Sequence, residues 1–448
     1  MPESPVRSRT VSEIDKLLQL HPKGYDLSLD RVSALLKRLG NPQDNIAPAI
    51  HIAGTNGKGS ATAFCRAALE AAGLRVHTHT SPHLVNWNER FRLAEEPGVS
   101  KNADDDVLAD AIARVGRANN GEEITVFEIL TAVMFMLFAD HPADACVIEV
   151  GLGGRFDATN VIKTPAASLI MPVTMDHEQW LGDTPAKIAF EKAGIIKRDC
   201  PVVIGSQPFQ DAEDVLIRQA NRNGMQPLVY GQDFFAREEN GRMVMQLPDG
   251  LWDLPLPALA GRHQIANAAA ALMAVREAGF PINDGTAEEA LKDVVWPGRL
   301  QKLPNGVLHG LAPADTEIWI DGGHNADAGK AAAEFLADRD DLIERPLFLI
   351  SGMLDTKDPQ TYFANFVGMT RHVFTVPLQS TGSGISSDLL AAKIAETGLS
   401  AEPVQSVASA LSLLGDTWEP PEVSPRIMIC GSLYLVGDVL RENGTPPK

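Results

Sequence analysis

Cysteine is scarce in this sequence: there are four in 448 residues, Cys65, Cys146, Cys200 and Cys430, and no two form a C-x-x-C pair. Such spacing excludes a disulfide framework and argues against a structural zinc site, so a reducing compartment, most simply a cytoplasm, is expected. Long hydrophobic runs are missing too. The longest, Ile129–Ala139, falls well short of the roughly 20 residues a helix needs to span a bilayer. The first ten residues, MPESPVRSRT, lack the apolar core of a secretory signal. Basic charge is in short supply as well, with 39 Lys and Arg against 58 Asp and Glu, a net of −19. A field of that sign repels phosphate backbones and anionic lipid, which excludes general nucleic-acid or membrane-surface binding. Any anionic ligand must be met by a few local cations and by backbone N–H groups.

What is present is a chain long enough for two domains and, at 44% hydrophobic residues, able to bury sizeable cores. Short apolar runs alternate with helical patterns, which predicts βαβ units, a mainly parallel sheet and the α/β class. The runs are Ala49–Ala53, Arg75–Thr80, Ala145–Val150, Ala167–Ile170, Val202–Ile204 and Pro227–Tyr230, with helices expected over Ser60–Ala72 and Phe127–Ala139. From Phe234 to Leu256 the pattern becomes strand alternation around Asn240-Gly241 and Asp249-Gly250, predicting an antiparallel appendage. A long alanine-rich helix, His263–Ala278, follows. Trp296-Pro297-Gly298 reads as a hinge, which divides the chain into residues 1–297 and 298–448. Beyond it strands are expected at Glu317–Ile320, Pro346–Ser351, His372–Val376 and Arg426–Cys430, with helices over Ala326–Leu336 and Ser387–Thr397.

The sharpest local signal is Gly54-Thr55-Asn56-Gly57-Lys58-Gly59-Ser60, set between an apolar strand and a helix. A glycine-rich turn there lets successive N–H groups approach phosphate oxygens at a helix N-terminus. Lys58 would bridge phosphates and the Ser60 hydroxyl would reach Mg²⁺. The spacing departs from G-x-x-x-x-G-K-[ST], because Gly59 separates Lys58 from Ser60. An ordinary glycine turn is the bland alternative; the lysine, the serine and the strand–helix setting favour nucleotide. Glu149 leaves an apolar strand where open α/β sheets place ligands, so it reads as a metal ligand rather than a loop cap. Asp176-His177 is a second polar pair at a strand end. His77, His79 and His83 lack the Cys or carboxylate partners of a zinc site and read as ordinary core or loop residues. Asp104-Asp105-Asp106 reads as a solvated helix start.

The variant loop GTNGKGS resembles that of the Mur ligases, and further segments narrow the resemblance to the folylpolyglutamate synthase and dihydrofolate synthase branch. They are Thr80-Ser81-Pro82-His83-Leu84, Glu149–Asn160 (EVGLGGRFDATN), Glu191–Ile195 (EKAGI), Gly261–Asn267 (GRHQIAN), Trp296–Arg299 (WPGR) and Asp321–Asn325 (DGGHN). The resemblance runs from about Gly24 to about Gly437. The resemblance implies a P-loop-containing central domain plus a smaller Rossmann-like C-terminal α/β domain. It implies two Mg²⁺ sites, with Ser60 and Ser81 at the first and Glu149 and His177 at the second, and a monovalent cation such as K⁺ alongside. It also implies that Lys192 is carbamylated by CO₂ into an anionic ligand; otherwise Lys192 would be an exposed helix lysine pairing with Glu191 or Asp199. ATP would be held by Gly54–Ser60 and by Asn267, Arg299, Asp321 and His324, with His324, His177, Lys58 and Lys192 in catalytic roles. Asn267 suits adenine, which offers both a donor and an acceptor, and Arg299 suits phosphate through its permanently charged fork. The last motif departs from D-x-A-H-N-P, having Gly323 for Ala and Ala326 for Pro, which touches the rigidity of that loop.

The same resemblance places the pterin of dihydropteroate against Gly24, Tyr25, Asp26, Leu27, Thr125, Val126, Phe127, Phe156, Asp157 and Ala158. Phe127 and Phe156 could stack on a pterin, and Asp157 could bond its amino-pyrimidine edge, though both Phe residues could equally be core. The implied activity is ATP-dependent ligation of L-glutamate to dihydropteroate and to reduced folates through an acyl phosphate, by a monomer. Closure about Trp296–Arg299 would exclude water from that intermediate. A monofunctional folylpolyglutamate synthase, a Mur-type ligase acting on a nucleotide-linked peptide, and a P-loop ATPase that makes no bond are the rivals. The DATN segment and the absence of a separate UDP-binding domain weigh against the second, and glutamate-dependent phosphate release discriminates the third.

Overall fold

The computed structural model describes residues 8–18, 20, 27–419 and 423–447. Contacts divide the chain into two compact units. One comprises the residues up to Ala258 with Ile265–Val294, and the other Leu259–Gln264 with the residues from Val295 onward. The third and last crossing, from Val294 to Val295, falls just before Trp296.

The first unit is built on strands β1 (Ala49–Ala53), β2 (Val76–His79), β3 (Phe91–Glu96), β4 (Val99–Asn102), β5 (Ala145–Glu149), β6 (Ala167–Ile170), β7 (Val202–Ile204) and β8 (Leu228–Val229). Their order is β4-β3-β2-β5-β1-β6-β7-β8. From β2 to β8 all pairings are parallel, whereas β3 and β4 add an antiparallel edge hairpin that the apolar-run pattern does not reveal. The residues of β1, β2, β5 and β6 are buried throughout, as parallel strands covered on both faces must be. The helix Val126–Asp140 is buried from Glu128 through Phe138, which explains why that run shows no polar face.

A satellite sheet of β9 (Phe235–Glu239), β10 (Arg242–Leu247) and β11 (Gly250–Pro255) is antiparallel. Asn240 and Gly241 turn it with φ of 52° and 75°, the geometry of a two-residue hairpin turn. The second turn is Pro248-Asp249 rather than Asp249-Gly250, because Gly250 already pairs with Leu247.

The second unit carries β12 (Gln301–Lys302), β13 (Glu317–Ile320), β14 (Leu347–Ser351), β15 (Thr370–Thr375), β16 (Ala401–Pro403) and β17 (Arg426–Cys430), in the order β12-β13-β17-β14-β15-β16. Only β12 runs antiparallel to its neighbour. Trp319, Phe335, Leu349, Tyr362, Phe363, Phe366 and Met428 fill its core. Arg426 is buried, and its guanidinium is matched by Glu317 at 2.6 Å and Asp340 at 3.1 Å.

The acidic run Asp104–Asp106 does more than solvate a helix start. Asp104 precedes the helix Asp105–Asn119, and Asp105 accepts the Arg9 N–H at 2.9 Å while Asp106 and Asp110 pair with the Arg9 guanidinium. That fastens the N-terminal helix Arg9–Leu18. All four cysteines are free and buried. Among the described residues no helix is long and apolar enough to cross a membrane.

Candidate functional site

Strand β1 lies between β5 and β6, so whatever follows these three strands gathers at one edge of the sheet. The glycine loop follows β1, Glu149 ends β5, and Met171–His177 follows β6. This is the carboxyl edge where open α/β sheets bind ligands. The loop is fastened to its neighbour: the N–H groups of Thr55 and Asn56 donate to Pro172 O at 2.8 and 3.3 Å. The Thr55 hydroxyl donates to Thr174 O and accepts the Thr174 N–H, each at 3.1 Å, and the Asn56 amide reaches Thr174 Oγ1 at 3.3 Å. Gln207 braces that neighbour, accepting the Val173 N–H at 3.0 Å. Thr174 and Gln207 belong to no motif, and nothing in the sequence marks them.

Helix Lys58–Ala71 opens immediately after Gly57, with Ser60 buried in its first turn. The Lys58 ammonium donates to Gly54 O at 3.0 Å and Thr55 O at 3.3 Å. Lys192 donates to the same Gly54 O at 3.0 Å, so two cationic side chains converge on one carbonyl. Lys192 is only 4% exposed, which removes the reading of an exposed helix lysine. Burial, reinforced by the Lys58 charge, pulls its pKa down from 10.5 to about 7, against the opposing pull of Asp176 and Asp157. Buried Asn267 also reaches this loop, since a Cβ at Gly57 would stand 2.9 Å from its amide oxygen.

Glu149 is buried and accepts the Ser81 N–H at 3.3 Å. His177 has a left-handed backbone (φ 53°); its N–H donates to Asp176 Oδ1 at 2.8 Å and its half-exposed ring lies 3.9 Å from Asp176 Oδ2. The helix Pro185–Lys192, which presents Lys192, is started by Thr184, whose hydroxyl accepts the Lys187 N–H. Gly154 lies against the end of that helix: a Cβ there would meet the Lys192 and Glu191 carbonyl oxygens at 2.8 and 2.9 Å. Gly154 therefore allows backbone on backbone. His77 is tied to the His141 carbonyl and the Ala94 N–H, and His83 to Arg90, so each has its own fold contacts.

At the expected pterin end, Gly24, Tyr25 and Asp26 lie outside the described residues, while Leu27 is half-buried. Thr125 caps the helix Val126–Asp140, accepting the Glu128 N–H at 3.1 Å while Glu128 accepts the Thr125 N–H at 2.8 Å. The half-buried Phe127 ring lies on the Gly151 backbone, where a Cβ would approach it to 2.3 Å. Phe156 is 37% exposed and hence not core, and the Arg155 guanidinium stands 4.7 Å over its ring. Asp157 is buried and directed into its own loop, accepting from Leu152 N and Thr159 N at 2.9 Å each and from Thr159 Oγ1 at 2.5 Å. Ala158 begins the buried turn Ala158–Val161.

Arg299, Asp321 and His324 fall in the second unit. Asp321 follows β13 and accepts the N–H groups of Leu300 at 2.9 Å and Gly323 at 2.8 Å, which draws the Arg299 segment to the strand end. Asn325 caps the helix Ala326–Leu342, its side chain accepting the Ala328 N–H at 3.0 Å. These side-chain bonds order the loop in place of a proline at 326. Gly323 has a reason too, since a Cβ there would lie 2.7 Å from both Ala328 Cβ and Asp321 Oδ1.

Among the described residues no three His, Cys, Asp or Glu side chains group as a metal cage. The donors at the loop are instead hydroxyl and carboxylate oxygens, Ser60 and Glu149, beside two lysines. That set fits Mg²⁺, which takes one or two protein oxygens and completes its shell with water and phosphate oxygens.

Comparison with known proteins agrees with this architecture. The model of the Mur ligase middle domain matches residues 52–275, and that of the dihydrofolate synthetase C-terminal domain matches residues 308–442. The folylpolyglutamate synthase of Lacticaseibacillus casei is 33% identical, over 91% of this chain and 92% of its own length. The dihydrofolate synthase/folylpolyglutamate synthase of Escherichia coli is 28% identical over 97% and 95%. The solved E. coli FolC in complex with DHPP and ADP superposes with a TM-score of 0.84 at 26% identity, covering 98% of this chain and 99% of that one. The Yersinia pestis bifunctional enzyme, solved with AMPPNP and Mn ion, gives 0.82 at 26% identity over 98% and 99%. With a Mur ligase middle domain followed by a dihydrofolate synthetase C-terminal domain, the chain belongs to the dihydrofolate synthase/folylpolyglutamate synthase family.

Proposed function

We propose that this protein is an ATP-dependent, ADP-forming ligase that adds L-glutamate to dihydropteroate and to reduced folates. The observation that carries the reading is that Lys58 and the buried Lys192 both reach Gly54 O at the head of a strand–loop–helix. Lys58 and the loop N–H groups make a built receptor for anionic oxygen in a chain whose net charge is −19, and Lys192 stands beside it as the amine to be carbamylated. A carboxylate oxygen of the folate-type substrate attacks the γ-phosphorus, ADP leaves, and an acyl phosphate forms. The glutamate amine then attacks the acyl carbon, phosphate departs, and the nitrogen sheds its proton. Activation is required because carboxylate oxygen is a poor leaving group.

In this reading Lys58 and the N–H groups of the loop bind the phosphates and lower the cost of charge developing on them. Ser60, Ser81, Glu149, His177 and a carbamylated Lys192 would hold two Mg²⁺ ions, which neutralise phosphate charge when bound. Burial supports the carbamate, because CO₂ adds only to a neutral amine. We assign Asn267 to adenine, Arg299 to phosphate, and Asp321 and His324 to the nucleotide, on the resemblance of their motifs. On the same ground we assign the pterin to the segments around Tyr25, Phe127 and Phe156. A monomer in the cytoplasm completes the reading, the compartment being supported by four buried free thiols. The test is glutamate-dependent phosphate release from Mg-ATP with dihydropteroate and, separately, with tetrahydrofolate. Release independent of glutamate would leave only an ATPase.

A further inference from the structure

Strand β1 reads Ala-Ile-His-Ile-Ala, and its central histidine is completely buried. No step of ligation uses it, and a polar side chain at the centre of a sheet is paid for only by a hydrogen bond. His51 Nε2 lies 2.8 Å from Thr159 Oγ1, which in turn lies 2.5 Å from Asp157 Oδ1. Asp157 also accepts the backbone N–H groups of Leu152, Thr159 and Gly151.

The order of protons along this line can be deduced. Oδ1 already accepts the Thr159 N–H, so it accepts the hydroxyl proton as well. Thr159 Oγ1 then offers only lone pairs to the ring, and His51 Nε2 must carry the hydrogen. His51 Nδ1 has no hydrogen-bond partner. As a bare lone pair it costs less than an orphaned N–H would, which selects the same tautomer. Burial holds His51 down to about 3 from 6.5, so the ring is neutral at working pH.

We propose that His51 and Thr159 are positioning residues that act through Asp157: His51 Nε2–H, the Thr159 hydroxyl and the Asp157 carboxylate form one fixed line that shapes the loop from Gly151 to Thr159 for the pterin. The inference rests on the reading above that this loop receives the pterin. Asp157 is then the loop's internal anchor, its carboxylate collecting the N–H groups of Leu152 and Thr159, with Phe127 packed on Gly151 at one end and Phe156 exposed at the other. The phosphate loop is fastened separately, to Pro172 and Thr174, so damage to the line reaches the pterin before it reaches ATP.

Steady-state kinetics with dihydropteroate, Mg-ATP and glutamate test it. Thr159→Val and His51→Leu should each raise the KM for dihydropteroate about tenfold, with kcat and the KM for ATP near wild type. Thr159→Ser keeps the hydroxyl and His51→Gln keeps a donor, so both should restore a low KM. The double variant His51→Leu/Thr159→Val should be no worse than Thr159→Val alone, because one line is broken once. An unchanged KM in Thr159→Val, additive losses in the double variant, or a lowered Tm in His51→Leu without a KM effect would overturn the proposal. Independently of turnover, ¹⁵N spectra of His51 should show a neutral Nε2–H ring that shifts in Thr159→Val. The other tautomer would overturn the inference, whereas a wild type that releases no glutamate-dependent phosphate would overturn the functional reading instead.

Discussion

Lys58 and Lys192 share one acceptor, and the two are not interchangeable. Lys58 starts a helix and has Thr55 O as a second acceptor, whereas Lys192 is brought in from the end of another helix and buried. Replacing Lys192 leaves the phosphate loop with its own lysine. Lys192→Ala should therefore bind ATP with little change but lose turnover on the order of 10²-fold, the cost of removing one group that stabilises developing charge. Acetate should restore part of that rate by supplying the carboxylate that a carbamate would provide. Wild-type turnover in Lys192→Ala, measured by phosphate release, would remove the residue from the metal site. Lys58, Ser60, Glu149 and Lys192 were legible because each sits in a compact motif at an element's end. The burial of Lys192 was not, since its neighbours Glu191 and Lys197 give the segment a polar character. Thr174, Gln207 and His51 were hidden for another reason: their partners lie far away in sequence, and no local pattern records such contacts.

At the scale of elements, the clearest dependency is between the loop Gly151–Asp157 and the helix that ends at Lys192. Gly154→Ala would force its methyl onto two backbone carbonyls, which cannot swing aside as a flexible side chain can. The expected cost is about 1–3 kcal/mol in urea unfolding, with turnover falling alongside; an unaffected variant would show that loop and helix are independent. Strand β2 offers a second test, through pH. His79 is buried beside Phe91, and burial holds it down to about 3 from 6.5. Between those values the unfolded chain binds a proton that the folded chain refuses, so stability rises with pH across the window and is lost on acidification. His79→Leu should thus lose less of its urea midpoint than wild type on going from pH 7 to about pH 4.5. An equal loss would mean that the ring is charged inside the fold. Buried parallel strands such as β1, β6, β7, β13 and β17 were readable to the residue because they are short apolar runs with abrupt polar ends. The hairpin β3–β4 was not, since Phe-Arg-Leu-Ala-Glu-Glu is half exposed at a sheet edge, and the excursion Leu259–Gln264 into the second unit carries no compositional break.

For the whole molecule, the question is whether dihydropteroate and reduced folates share one ligation site. Both additions activate a carboxylate with the same γ-phosphate, and the described residues carry one loop of the GTNGKGS kind, with one Lys58 in it. Dihydropteroate ends in an aminobenzoate carboxylate and a folate in a glutamate carboxylate, so the activated carbons stand at different distances from a common pteridine. A single site must therefore hold the carboxylate in register with the phosphate loop and let the pteridine end adapt, or hold the pteridine and let the carboxylate reach. Either way the two substrates exclude each other. Dihydropteroate should inhibit glutamate addition to tetrahydrofolate competitively, with an inhibition constant equal to its own KM, and the reverse experiment should give the KM of tetrahydrofolate. Lys58→Ala should abolish both additions together, by about 10²–10³-fold, and chelation of Mg²⁺ should do the same reversibly. The decisive readout is a mixed-substrate rate at saturation: one site gives a total that falls between the two separate rates, whereas two sites give their sum. A summed rate, or a Lys58→Ala protein that keeps one activity, would sink the single-site account.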